Sequence, residues 1–99
     1  MLHIVNKSHR QTSALASCLR LAKPGHALLL TEDAVFAATQ AGAASSGLAA
    51  ALGTLEVYVL QPDVEARGMA GKLIEGVRPI GYDGFVDLVA ARSTSQSWL

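Results

Sequence analysis

The sequence holds a single cysteine, Cys18, in 99 residues. One thiol cannot close an intrachain disulfide, so a stapled secreted scaffold is excluded, and a free thiol fits a reducing compartment. Net charge is equally scarce, with a formal value of +0 at pH 7. That removes the broad attraction toward polyanions, so direct binding of nucleic acid is not expected and any RNA contact must be local or made by a partner. Long apolar runs are missing too. No segment approaches the roughly 20 apolar residues that span a bilayer, and no membrane association is expected. The opening run Leu2-His3-Ile4-Val5 is too short for a secretion signal, and its first positive charge, Lys7, follows the run instead of preceding it. The expected location is the cytoplasm.

What is present is a chain built to fold, with 51% hydrophobic and 16% charged residues. Its length suits one domain, residues 1–99, because a second would be too small to bury a core. Leu2–Val5 reads as a first strand. Ser8 with Gln11 fits a capping box before a helix whose apolar stripe is Leu15, Cys18, Leu19 and Ala22. Lys23-Pro24-Gly25 stops that helix. Ala27–Leu30 is an unbroken apolar run, as a parallel strand covered on both faces requires. Thr31-Glu32-Asp33 supplies capping and acidic residues for a second helix over Ala34–Ala38. Residues 41–53 are small and bland, suiting either a flexible insertion or a helix pressed on another surface. Leu55–Leu60 is the strongest strand signal. Pro62 and Asp63 open a short helix ending at Ala66-Arg67-Gly68. Val77–Ile80 reads as a strand that Pro79 assigns to a sheet edge or a strand end. Asp83 can cap a last helix with the apolar face Phe85, Val86, Leu88 and Val89, and Thr94–Leu99 reads as a polar tail. Alternation of strand and helix predicts a small three-layer α/β/α sandwich on a mainly parallel sheet of four to five strands. So small a sheet leaves little stability, and association with other subunits would supply burial.

Cys18 is the candidate for nucleophilic or sulfur-carrying chemistry. A persulfide carrier needs a thiolate, exposed near positive charge or a helix N-terminus, whereas the helical stripe of Cys18 predicts a core position. His3, His9 and His26 are scattered and joined by no second cysteine, so neither a metal set nor a cofactor is expected. No G-x-S-x-G elbow places a serine nucleophile. Gly68-Met69-Ala70-Gly71 satisfies a bare G-x-x-G, but the α/β order and neutral charge disfavour a KH loop. Gly71-Lys72 fails as a phosphate loop because Ala66 and Leu73 stand where glycine and serine or threonine belong. No dinucleotide fingerprint follows any strand. Arg67 reads as a solvated charge, and Trp98 as either a frayed end or a docked aromatic.

The opening Met1-Leu2-His3-Ile4-Val5-Asn6-Lys7-Ser8 resembles the M-L-H-x-x-x-[KR]-S start of the TusB/DsrH family. Leu28–Val35, Val57–Gly68 and Tyr82–Leu88 are similar to further stretches of it, and Gln96-Ser97-Trp98 resembles its Q-x-W tail. The resemblance implies a DsrE-like fold and a subunit of a heterohexameric sulfurtransferase with TusC/DsrF-like and TusD/DsrE-like partners. It implies sulfur passed to a TusE/DsrC-like acceptor, toward 2-thiolation of the wobble uridine of tRNA. The main persulfide cysteine would then lie on the TusD/DsrE-like partner. Ser17-Cys18-Leu19 resembles a segment of DsrH chains from sulfur oxidisers, which implies the alternative of a sulfur-oxidation complex in which Cys18 carries persulfide sulfur.

Overall fold

The computed structural model describes residues 1–98, and the apolar runs of the sequence become its sheet. β1 (Leu2–Val5), β2 (Ala27–Leu30), β3 (Glu56–Leu60), β4 (Arg78–Ile80) and β5 (Ser95–Trp98) lie in the order β4-β3-β2-β1-β5. All pairings between these strands are parallel. β2 is central, and all four of its residues are buried, as its unbroken run of apolar side chains demands. β4 is an edge, where the missing N–H of Pro79 costs no ladder bond.

The connecting helices are α1 (Ala14–Leu21), a 3-10 helix (Glu32–Ala38), α2 (Ala43–Ser46), α3 (Leu48–Ala51), α4 (Gln61–Ala66) and α5 (Tyr82–Ala91). From β1 to β4 the chain steps in one direction, and α5 carries it back to the far edge beside β1. Right-handed crossovers then put α5 on the face opposite the other helices. The packing agrees. Val5, Leu28, Leu30, Val57 and Val59 face Leu15, Cys18, Val35, Leu48 and Val64 on one side, while Leu2, Ala27 and Leu29 face Leu88 and Phe85 on the other. Each fully buried Leu or Val adds about 1.5–3 kcal/mol. The three-layer α/β/α sandwich is observed, with five strands.

Five local expectations need correction. Thr94–Leu99 is not a polar tail, because Ser95–Trp98 pairs with β1 in register Leu2↔Ser95 to Val5↔Trp98; Leu99 lies outside the described residues. Ser8 and Gln11 form no capping box: the Ser8 carbonyl accepts from the Gln11 and Thr12 amides at 3.0 and 3.2 Å in a turn, and α1 starts later, at Ala14. The second helix is a 3-10 helix without a Thr31 side-chain cap, and its buried pairs Ala34/Ala37 and Val35/Ala38 follow a three-residue period. Asp83 sits in the first turn of α5 while Gly81 occupies the cap position. Finally, only Leu88 and Phe85 of the expected α5 face turn to the sheet; Val86 is 65% exposed and Val89 41%.

The bland stretch 41–53 is pressed against the core. A Cβ on Gly42 would collide with the Phe36 carbonyl, and Gly47 takes φ 79° to turn α2 into α3. Ser46 is buried, and its single hydroxyl proton is shared between the Ala37 and Ala43 carbonyls at 3.2 and 3.1 Å. Small residues there permit close approach of backbones.

Candidate functional site

Parallel α/β sheets present their ligand crevices beyond the carboxyl ends of the strands, beside the point where strand order reverses. Here that end is built by the loop 6–13 after β1, by Thr31-Glu32-Asp33 after β2, and by the start of α4 after β3. Glu32 holds φ 49°, a left-handed conformation costly for a residue with a side chain. Its amide donates to Asp63 Oδ2 at 2.7 Å, which fixes the exit of β2 against α4. Arg67 completes the clamp: Nε lies 2.9 Å from Asp33 Oδ1, and Nη1 donates to the Asp63 carbonyl at 3.3 Å. Arg67 is therefore a cross-element tie and not a plain solvated charge.

Against this clamp opens a hollow of about 530 Å³ between Ser8, Arg10, Asp33, Phe36, Arg67 and Met69. A second of about 380 Å³ continues it over Thr39, Gly68 and Lys72. The Arg10 guanidinium lies 4.5 Å from the Phe36 ring centroid, and His9 stacks on the same ring at 5.8 Å and 8°. His9 Nε2 meets Ser45 Oγ at 2.9 Å. Burial, with Arg10 adding to it, holds the His9 pKa below its ordinary 6.5. An apolar floor rimmed by Arg10 and by the Arg67–Asp33 ion pair can seat a partly apolar ligand. This cluster was hidden in the sequence because His9 and Arg10 lay inside what looked like a helix-capping segment.

Cys18 lines neither hollow. It faces the core at 0% exposure, packed with Leu15 and strand residues, and burial pushes its thiol from 9.0 up to about 11. At neutral pH such a group is thiolate in roughly one molecule in 10⁴.

His3, His9 and His26 are scattered in the sequence, but two of them meet in the fold. His3 Nε2 is 3.0 Å from His26 Nδ1, and Trp98 Nε1 donates to His3 Nδ1 at 3.1 Å. The parallel register of β1 with β2 brings this about, since Ala27 pairs with Leu2. The sequence showed both strands but not their adjacency. Nearby, Arg92 Nη2 bonds Glu56 Oε2 at 2.9 Å and its Nη1 donates to the Gly25 carbonyl at 3.1 Å, joining the end of α5 to β3 and the turn before β2. The Arg92 bond leads the causes that lower the Glu56 pKa. Among the described residues no three His, Cys, Asp or Glu side chains gather to hold a metal ion, and no helix is long and apolar enough to cross a membrane.

Residues 7–95 match the family described as DsrH like protein. The chain belongs to the TusB/DsrH family. Protein TusB of Shigella flexneri is 36% identical over 98 residues, covering 99% of this chain and all of that one, and Protein TusB of Escherichia coli O6:H1 matches to the same degree. The family's fold recurs at much lower identity. The ychN protein of Escherichia coli superposes with TM-score 0.67 at 15% identity, over 98% of this chain and 97% of that one. MTH1491, a protein of unknown function from Methanobacterium thermoautotrophicum, gives TM-score 0.74 at 17% identity, over 97% and 95%.

Proposed function

We propose that this chain is an accessory subunit of a cytoplasmic sulfur-relay sulfurtransferase complex, and that it acts as a single DsrE-like domain. Its partners are TusC/DsrF-like and TusD/DsrE-like subunits in a heterohexamer. The complex hands sulfur to a TusE/DsrC-like acceptor for 2-thiolation of the wobble uridine of tRNA. The observation that carries this reading is the end-to-end identity of 36% with TusB proteins.

Two features of the chain support the word accessory. The only thiol, Cys18, is enclosed in the core and held protonated at neutral pH, whereas sulfur transfer begins from a thiolate that can be reached. On α5, Tyr82, Val86 and Val89 recur at helical spacing yet remain exposed, which fits a subunit that associates. Ser17-Cys18-Leu19 supports a second reading, a DsrH-like subunit of a sulfur-oxidation complex. In that reading α1 must shift to bring the thiol to the surface.

Co-expression with the two partner types tests the proposal. Recovery of all three chains in equal amounts, with loss of tRNA 2-thiouridine when this chain is deleted, is the expected result. Recovery only as a homo-oligomer in the presence of both partners overturns it.

A further inference from the structure

The contact between β1 and the last strand is polar at its centre, and its polarity has a direction. The Trp98 indole can only donate, so the lone pair of His3 Nδ1 must face it. The remaining proton of neutral His3 then sits on Nε2, and it points at His26 Nδ1, 3.0 Å away. His26 Nδ1 also accepts from the Lys23 amide at 3.2 Å, which leaves the His26 proton on Nε2. The order is Trp98 to His3 to His26, each ring donating to the next. His3 is 2% exposed and Trp98 is half-buried, so a mismatched donor here has little water to turn to.

We propose that His3 is a proton-operated latch for β5: neutral His3 holds Trp98 and the strand on β1, and a proton on His3 Nδ1 sets N–H against N–H and releases them. The proposal goes beyond the sulfur-relay reading and does not depend on it.

The surroundings make the neutral state the resting one. The groups facing His3 are His26 from the turn before β2, the amino terminus of Met1 and Trp98 from β5; those around His26 are the Met1 amino terminus, Lys23 and Arg92. Arg92 is itself paired with Glu56, and among the described residues no carboxylate is one of the groups that shift the His3 or His26 pKa. Burial first, then His26 and the amino terminus, hold the His3 pKa below 6.5. Besides this contact, β5 is held by its backbone ladder with β1 and by the Trp98 ring packed against the core. It is a four-residue edge strand whose other residues, Ser95, Gln96 and Ser97, are exposed, and such ends open at low cost. Once released, β5 uncovers the β1 edge of the sheet, a row of backbone donors and acceptors that a strand of another chain can pair with.

Trp98 is the only tryptophan, so the emission of the full chain reports the latch directly. Expected on titration from about pH 8 to about pH 5 is a shift of emission to longer wavelength. Its midpoint should fall below 6.5, the ordinary histidine value. The protection factor of the Leu2 amide, which donates to the Thr94 carbonyl at 3.0 Å, should fall at least about tenfold over the same interval. His3→Asn offers an acceptor that does not titrate and should remove the pH response while Trp98 stays docked. His26→Gln should keep it. Flat emission and protection in the native chain, or a response that survives His3→Asn or vanishes with His26→Gln, overturns the latch. Should His3→Asn not fold, Trp98→Phe decides: without the indole N–H the His3 imidazole, followed by NMR, must titrate at higher pH, and an unchanged titration overturns the proposal.

Discussion

Arg67 Nε lies 2.9 Å from Asp33 Oδ1 and so binds the helix after β3 to the helix after β2 across the carboxyl end of the sheet. Both side chains are partly exposed, and an ion pair of this kind contributes about 0.2–1 kcal/mol. A double-mutant cycle with Arg67→Ala and Asp33→Ala should return a coupling energy in that range from urea midpoints. A coupling of zero would mean that the clamp rests on the Glu32–Asp63 bond alone.

Gly42 and Gly53 make opposite predictions for the same substitution. A Cβ at Gly42 meets the Phe36 carbonyl backbone, while one at Gly53 meets nothing within 4 Å. Gly42→Ala should cost about 1–3 kcal/mol and lower the thermal midpoint. Gly53→Ala should be neutral or stabilise by up to about 1 kcal/mol. Equal effects at the two sites would contradict the close packing of the stretch 41–53.

Acid should weaken the fold through its histidines. His3, His9 and His26 all have folded pKa values below 6.5, with burial the first cause in each. Below that value the unfolded chain binds more protons, so their contribution is complete above it and is lost as pH falls through the lowered folded pKa values. Cys18 acts at the other end. Its pKa rises from 9.0 to about 11 on folding, so stability should fall as pH climbs through that interval, by on the order of 2–3 kcal/mol. Urea midpoints against pH check both limbs, and Cys18→Ala should flatten only the alkaline one.

Val86→Lys separates folding from association. Val86 is 65% exposed, so its replacement should change subunit stability by no more than about 0.5 kcal/mol. If the α5 stripe is covered in the complex, the same change should weaken co-purification with the partner subunits.

Much of this fold was legible in the sequence, because buried parallel strands leave unbroken apolar runs and helices leave periodic ones. Leu28-Leu29-Leu30 and the Leu15/Cys18 stripe are examples. What stayed hidden depended on adjacency between strands. β5 is Ser95-Gln96-Ser97-Trp98, polar because an edge strand needs few apolar residues, and it reads as a strand only once β1 lies beside it. The His3–His26 contact needs the β1–β2 register, and the outward turn of Val86 needs the position of α5 over Leu2 and Leu29. The hollow around Phe36 is not legible in the sequence for a further reason: Ser8 and Gln11 have the spacing of a capping box, but the stacking of His9 and Arg10 on Phe36 occupies that segment instead.

That the sulfur chemistry belongs to a partner subunit is checked on the assembled complex carrying Cys18→Ala. Sulfur transfer to the acceptor should persist there. The native chain, after exposure to a persulfide donor, should show no mass gain of about 32 Da at Cys18. Loss of transfer in an intact complex, together with that adduct on the native chain, would contradict that assignment.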